Sequence, residues 1–241
     1  MGNKDLHGQK WSTATLYLLI AAAVVVGGLA LSFAGETPAH KATRIPKPLH
    51  DIASTEPSQK AVLAGGCFWG VQAVFQHVVG VTSVTSGYAG GTAETATYEL
   101  TETGKTDHAE AVEIKFDPKL ISYGRLLEIY FSVAHDPTQL GGQGPDIGPQ
   151  YRSVIFPRDE AQAAVALSYI RHLNASAVFD RPIVTTIERK KSFYPAEAYH
   201  QDYVYNNPSQ AYVRLYEAPK IEALQRLYPT LYREKPILSV P

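Results

Sequence analysis

The chain has 241 residues, with 22 Lys and Arg against 23 Asp and Glu, giving a formal net charge of −1. Such a balance leaves no basic footprint for nucleic acid, and the length suits one domain with extensions. A single cysteine, Cys67, excludes an intramolecular disulfide among these residues and any structural zinc site built on several thiolates.

Residues 1–14 read as a polar tail. Residues 15–34 carry no charge and run TLYLLIAAAVVVGGLALSFA. At about 1.5 Å per helical residue they are long enough to cross a bilayer's hydrocarbon core, and Trp11 and Tyr17 resemble interfacial aromatic anchors. The length favours an uncleaved membrane anchor over a signal peptide cut near Ser32-Phe33-Ala34. Lys4 and Lys10 before the span are matched by Lys41, Arg44 and Lys47 after it, so the positive-inside rule does not orient it. The domain is expected outside the cytoplasm, on the periplasmic or extracellular side, or secreted if the segment is cleaved. No cysteine lies near residue 34 for lipid attachment, and Leu6 stands where a myristoylation signal needs Ser or Thr. Residues 35–59, with Pro38, Pro46, Pro48 and Pro57, read as a linker.

The folded part then alternates strand and helix. Residues 61–65 form a short apolar strand, 71–77 a helix and 79–88 a β-rich run. Residues 109–116 alternate apolar and polar as an amphipathic strand, closed by Asp117-Pro118. Residues 122–134 have helical periodicity through Leu126, Leu127, Tyr130, Phe131 and Ala134, with Ser122 as N-cap. A Gly/Pro loop spans 137–149. A strand is expected over 152–156, a helix over 158–173, a strand over 183–187 and a last helix over 211–228. This order implies an α+β sandwich.

Cys67 lies in Gly65-Gly66-Cys67-Phe68-Trp69-Gly70, between the first strand and the first helix. A thiol at a helix N-terminus meets free N–H groups and partial positive charge, which favour the thiolate. The glycines permit a tight turn. Phe68 and Trp69 put an aromatic wall beside the sulfur.

Gly-Cys-Phe-Trp-Gly resembles the active-site motif of the A-type peptide methionine sulfoxide reductases. Further blocks are similar to that family's and keep its order. They are Gly87-Tyr88-Ala89-Gly90-Gly91, Thr97-Tyr98, His108-Ala109-Glu110-Ala111-Val112, Phe116-Asp117-Pro118, His135-Asp136-Pro137, Asp146-Ile147-Gly148-Pro149-Gln150-Tyr151-Arg152-Ser153 and Tyr199-His200-Gln201-Asp202-Tyr203. The blocks cover about residues 60–208. With the helix expected at 211–228, they set a catalytic domain at 60–230 and a C-terminal tail at 231–241. The resemblance implies a two-layer α/β sandwich with a βαββαβ, ferredoxin-like core.

It also implies a mechanism. Cys67 is the nucleophile, and Glu110, Tyr98, Tyr151 and Asp146 match the other active-site positions. A Glu110 carboxyl in a dry aromatic pocket has a raised pKa and can protonate the sulfoxide oxygen. Tyr98 and Tyr151 offer phenol donors to that oxygen. Asp146 is placed to orient water or a tyrosine. Phe68 and Trp69, with Tyr98, Tyr151 and Glu110, would bind the substrate. His77, His108, His135 and His200 show no metal-ligand spacing and are assigned structural or supporting roles. No bound cofactor or metal is implied. Expected partners are oxidised proteins or free methionine sulfoxide, and the chain is expected to be monomeric.

Two departures stand out. Asp107 replaces the glycine usual before His108-Ala109-Glu110. And no resolving cysteine is present, so a Cys67 sulfenic acid needs an external thiol: thioredoxin-like, glutaredoxin with glutathione, or a small dithiol. Two other readings compete. A thiol peroxidase would need a cation at the thiol, and a methionine-binding module would not need Cys67 or Glu110.

Overall fold

A computed structural model describes residues 42–239. The expected tail 1–14 and apolar span 15–34 lie outside the described residues. Among the described residues, no helix is long and apolar enough to cross a membrane.

The strands are β1 (Gln59–Ala64), β2 (Val81–Ala89), β3 (Ala109–Phe116), β6 (Val154–Phe156), β7 (Thr186–Ile187) and β8 (Phe193–Pro195). They form one six-stranded sheet in the order β7-β6-β1-β3-β2-β8. All neighbours are antiparallel except β6 and β7. A separate small hairpin pairs β4 (Gly142–Gln143) with β5 (Asp146–Ile147).

Helix α1 (Phe68–Gln76) crosses from β1 to β2, leaving a gap that β3 fills. Helix α3 (Tyr123–Ile129), extended by a wider π turn over Tyr130–Ala134, lies on the path from β3 to β6. The four central strands therefore read β6-β1-β3-β2, two split βαβ units interleaved, which is the ferredoxin-like order. Later helices are α4 (Glu160–Ala175), the short α5 (Tyr203–Asn206) and α6 (Ala218–Leu227); a one-turn α2 (Tyr98–Thr101) precedes β3.

Local chemistry sets the ends of these elements. The Ser122 hydroxyl accepts from the Arg125 N–H at 3.4 Å, and the Asp159 carboxylate accepts from the Gln162 N–H at 2.8 Å, each starting a helix. Before α6, a π turn spans Val213–Glu217. Pro219 has no N–H to close the regular ladder there, which favours the wider turn.

The main core joins Leu63, Val84, Val112, Ile114 and Phe116 of the sheet to Val71, Val74 and Phe75 of α1 and Leu126, Leu127, Tyr130 and Phe131 of the α3 segment. The opposite face is covered near its end, where Val62, Ala64, Ala89, Ala109, Ala111, Val154 and Phe156 cluster under Phe193. Strand β3 is thus not amphipathic along its whole length. Its first four residues are all buried, and alternation survives only toward Phe116, where the Glu113 carboxylate pairs with Lys60 at 2.9 Å.

Both flanks of the catalytic blocks pack on this body. Residues 43–51 fall in the span read as linker, yet Ile45 is 4% exposed. The Pro46 carbonyl accepts from the Tyr169 hydroxyl at 2.5 Å, and Asp51 accepts from the Gly124 N–H at 2.8 Å. At the other end, the Arg233 and Ile237 N–H groups donate to the last carbonyls of the α1 segment, His77 at 2.8 Å and Gln76 at 3.0 Å. The Ser239 N–H donates to Asp202 at 2.9 Å.

Candidate active site

Strand directions bring the site together. The C-terminal ends of β1 and β2 lie beside the N-terminal ends of β3 and β6, because each pair runs antiparallel. The residues after Ala64 and Ala89 and before Ala109 and Val154 therefore meet at one end of the sheet. Cys67, Tyr98 and Tyr151 come from the connections at this end, Glu110 is the second residue of β3, and the β4–β5 hairpin adds Asp146.

Cys67 is the N-cap of α1 and is 7% exposed. The turn before it has no room for side chains. A Cβ on Gly65 would lie 2.7 Å from the His135 ring, and one on Gly66, at φ +87°, would lie 2.5 Å from Gln143 Cγ. The Gly66 N–H donates to the Tyr151 carbonyl at 3.2 Å, tying the thiol turn to the β6 loop.

The expected thiolate is overturned by its surroundings. The Cys67 side chain makes no capping hydrogen bond; burial and the neighbouring Glu110, Glu217 and Asp146 carboxylates push the thiol well above its ordinary value, against a smaller opposite pull from the Trp69 backbone amide. The helix terminus supplies fractional charge; loss of water and nearby full negative charges outweigh it. The strongest charges on the sulfur are carboxylates, not the cation a thiol peroxidase would need.

Glu110 is 2% exposed, and its Oε2 accepts from the Phe68 N–H at 2.9 Å. That bond favours the carboxylate, yet burial, aided by Glu102, Asp146 and Glu217, drives its pKa well above the usual carboxyl range. A buried acid thus sits one backbone amide away from a buried thiol.

Tyr98 opens α2, with its N–H on Glu197 at 2.9 Å. Burial and the acids around it push its phenol up to about 12, so it keeps its proton as a donor. The Tyr151 hydroxyl already donates to Glu102 at 2.9 Å. A phenol has one proton to give, so Tyr151 can serve a substrate oxygen only by leaving Glu102. Asp146 accepts from the Tyr212 hydroxyl at 2.5 Å. Phe68 is 1% exposed and belongs to the core, against Tyr88 and His200. Trp69 is half-buried and stacks on Tyr203 with centroids 3.7 Å apart and planes 7° apart.

The histidines brace this frame. His200 Nδ1 accepts from the Trp69 indole N–H at 3.1 Å, and its ring lies 4.6 Å from Tyr98. His108 bonds the Gly91 N–H and the Thr92 carbonyl, and His135 bonds Ser153 at 2.7 Å. Burial lowers the pKa of His200 and His108, so both rings are held neutral. Asp107 sits at φ +58°, a left-handed conformation that glycine adopts freely and Asp tolerates. Its carbonyl accepts from Arg152 at 2.9 Å.

Sequence reasoning passed over Glu102, Glu197, Tyr212 and Glu217. Each is an ordinary-looking surface residue type, and Tyr212 and Glu217 lie in a stretch read only as helix. The one available signal was Pro219, which marks an irregular turn there.

A buried thiol and a buried carboxyl thus lie together among phenols at one end of a ferredoxin-like sheet. Comparison with known proteins then places the chain. The family model described as "Peptide methionine sulfoxide reductase" matches residues 59–230. The chain belongs to this family and is an oxidoreductase that reduces methionine sulfoxide. It is 55% identical over 188 residues to peptide methionine sulfoxide reductase MsrA 2 of Mesorhizobium japonicum, covering 78% of this chain and 96% of that protein. It is 51% identical over 171 residues to MsrA of Nitratiruptor, covering 71% and 97%. Among solved structures, reduced Mxr1 of Saccharomyces cerevisiae aligns with a TM-score of 0.56 at 30% identity, covering 70% of this chain and 96% of that one. Methionine sulfoxide reductase A of Corynebacterium diphtheriae aligns with a TM-score of 0.53 at 30% identity, covering 73% and 91%.

Proposed function

We propose that this chain reduces methionine-S-sulfoxide, in proteins and as the free amino acid, through a Cys67 sulfenic acid. The observation that carries the reading is the Glu110 carboxyl held on the Phe68 N–H beside Cys67. Protonated Glu110 hydrogen-bonds the sulfoxide oxygen, with Tyr98 and, once freed from Glu102, Tyr151. Polarising the S=O bond leaves positive charge on the substrate sulfur, and that charge beside Sγ favours loss of the thiol proton. A high resting pKa at Cys67 is therefore compatible with attack.

The Cys67 sulfur attacks the substrate sulfur as the oxygen takes the proton from Glu110; the proton released by the thiol restores Glu110, and the S–S and substrate S–O bonds break as the hydroxyl passes to Cys67. The sum is thiol plus sulfoxide giving sulfenic acid plus thioether. The substrate sulfur gains two electrons and Cys67 loses two. One external thiol then displaces water to form a mixed disulfide, and a second thiol restores Cys67. Thioredoxin-like proteins, glutaredoxin with glutathione, or a small dithiol have the required chemistry. Trp69, Phe68 and Tyr203 form the apolar side that would receive the S-methyl group.

The uncharged residues 15–34 support a domain tethered to a membrane outside the cytoplasm, repairing oxidised proteins there as a monomer. The catalytic reading is tested with racemic methyl p-tolyl sulfoxide and dithiothreitol, followed by chiral chromatography. Selective consumption of the S enantiomer supports it. Equal consumption of both, or none, refutes it.

A further inference from the structure

Residues 237–239 are fastened to the body of the protein by polar bonds. The Ile237 N–H donates to the Gln76 carbonyl of α1 at 3.0 Å. The Ser239 N–H donates to the Asp202 carboxylate oxygens at 2.9 and 3.1 Å. The Ser239 hydroxyl donates to the Val84 carbonyl of β2 and accepts from the Gln72 amide of α1 at 3.0 Å. Little of this serves the core. Leu238 is 37% exposed, and neither it nor the half-buried Ile237 joins the apolar clusters.

Asp202 is the other end of that tether. It is 3% exposed and sits at φ +56°, a left-handed conformation that needs support in a residue other than glycine. Helix α1 gives some of that support: the Gln76 amide donates to Asp202 Oδ1 at 2.5 Å, and Gln72 Oε1 accepts from the Asp202 N–H at 2.9 Å. Next door, the Gln201 side chain pairs with both main-chain groups of Ser86, the N–H at 2.9 Å and the carbonyl at 3.0 Å. The residues flanking this pair are the ones that hold Trp69. His200 Nδ1 accepts from its indole N–H at 3.1 Å, and the Tyr203 ring stacks on it at 3.7 Å. A change in the turn at Asp202 would move both contacts.

We propose that Asp202 and Ser239 are positioning residues for substrate binding. Residues 237–239 lock the Asp202 turn, and that turn holds His200 and Tyr203 against Trp69. This rests on Trp69 and Tyr203 forming the side of the site that receives the S-methyl group. A buried polar network with its bonds made specifies one arrangement. One methylene in an apolar pocket is worth about 10–200-fold in discrimination, so a loosened wall weakens binding while leaving Cys67 and Glu110 in place.

The test uses the full chain carrying Trp11→Phe, so that Trp69 is its one tryptophan. This parent is compared with the same chain ending at Pro236 and with Asp202→Gly. Glycine keeps the left-handed turn without steric cost and loses only the carboxylate tether. Ser122→Ala, which loses a helix cap outside this network, is the control for lowered stability. In both test variants KM for methyl p-tolyl sulfoxide should rise about tenfold, with kcat within about threefold of the parent. Acrylamide should quench Trp69 more strongly in both. Ser122→Ala should lower Tm with KM and quenching unchanged. Should one test variant fail to fold, the other decides. Parental KM and quenching in the folded variants overturn the proposal, as does a KM rise shared by Ser122→Ala. Greater quenching at an unchanged KM overturns the role in substrate binding. Quenching needs no sulfoxide, so a failed catalytic reading shows separately, as a parent chain that turns over no sulfoxide.

Discussion

Replacing Glu110 with glutamine isolates proton donation from binding. In the wild type, Glu110 Oε2 accepts from the Phe68 N–H at 2.9 Å. A glutamine carbonyl can keep that bond and turn its NH2 toward the substrate oxygen, so a hydrogen-bond donor survives while the transferable proton is lost. Substrate binding should change by a few-fold at most. Turnover should fall by about 10²–10⁴-fold, the usual worth of a general acid, or about 3–5 kcal/mol of barrier. The assay is single-turnover release of the thioether from methyl p-tolyl sulfoxide, with KM and kcat measured from pH 5 to 10.

Sign matters in that series. Burial raises Glu110 above its ordinary 4.5, so wild-type activity from this acid is present below the raised pKa and lost as pH climbs through it. The variant should lack that alkaline limb. Stability follows the same proton. Between pH 4.5 and the raised value the folded state binds more protons than the unfolded, so wild type loses stability as pH rises. Glu110→Gln should lose less over that window in denaturant titrations. A turnover drop below a few-fold, or an alkaline limb unchanged in the variant, would refute the assignment of Glu110 as donor.

Cys67→Ser should abolish reduction with the fold intact by circular dichroism; residual turnover above about one per cent of wild type would remove Cys67 from the mechanism. With one equivalent of sulfoxide and no reductant, wild type should release about one thioether and then carry a dimedone adduct on Cys67; release without a Cys67 adduct contradicts the sulfenic acid. A chain starting at residue 42 should be soluble and active. One starting at 53 loses the buried Ile45 and the bonds to Pro46 and Asp51. That is about 3 kcal/mol or more, and calorimetry should show a Tm lower by about 6–12 °C; equal Tm values would make that segment a free linker after all. Tyr212→Phe leaves Asp146 without its 2.5 Å donor, for an expected loss of about 1.5–3 kcal/mol, seen as a lower midpoint in urea; an unchanged midpoint would show that the bond contributes nothing to stability.

The local features of the site are legible in the chain itself. Gly65 and Gly66 before a thiol, then an apolar helical run, already place Cys67 at a strand-to-helix turn, because backbone freedom and periodicity are properties of short segments. The span 109–116 and the cap at Ser122 are read correctly for the same reason. Strand β8 escapes notice because three residues carry no period. The protonation of the site is a different matter. A helix N-terminus alone argues for a thiolate at Cys67. Only the folded chain brings Glu110 from β3, Asp146 from the hairpin and Glu217 from the last helical segment against the same sulfur and removes its water. Burial and charge at a point depend on what long-range pairing delivers there, and neighbours in sequence do not encode that sum. Asp107 shows the same division. As a letter it is an added charge before Glu110; in the structure it is a residue at φ +58° whose carbonyl is clasped by Arg152, 45 positions away.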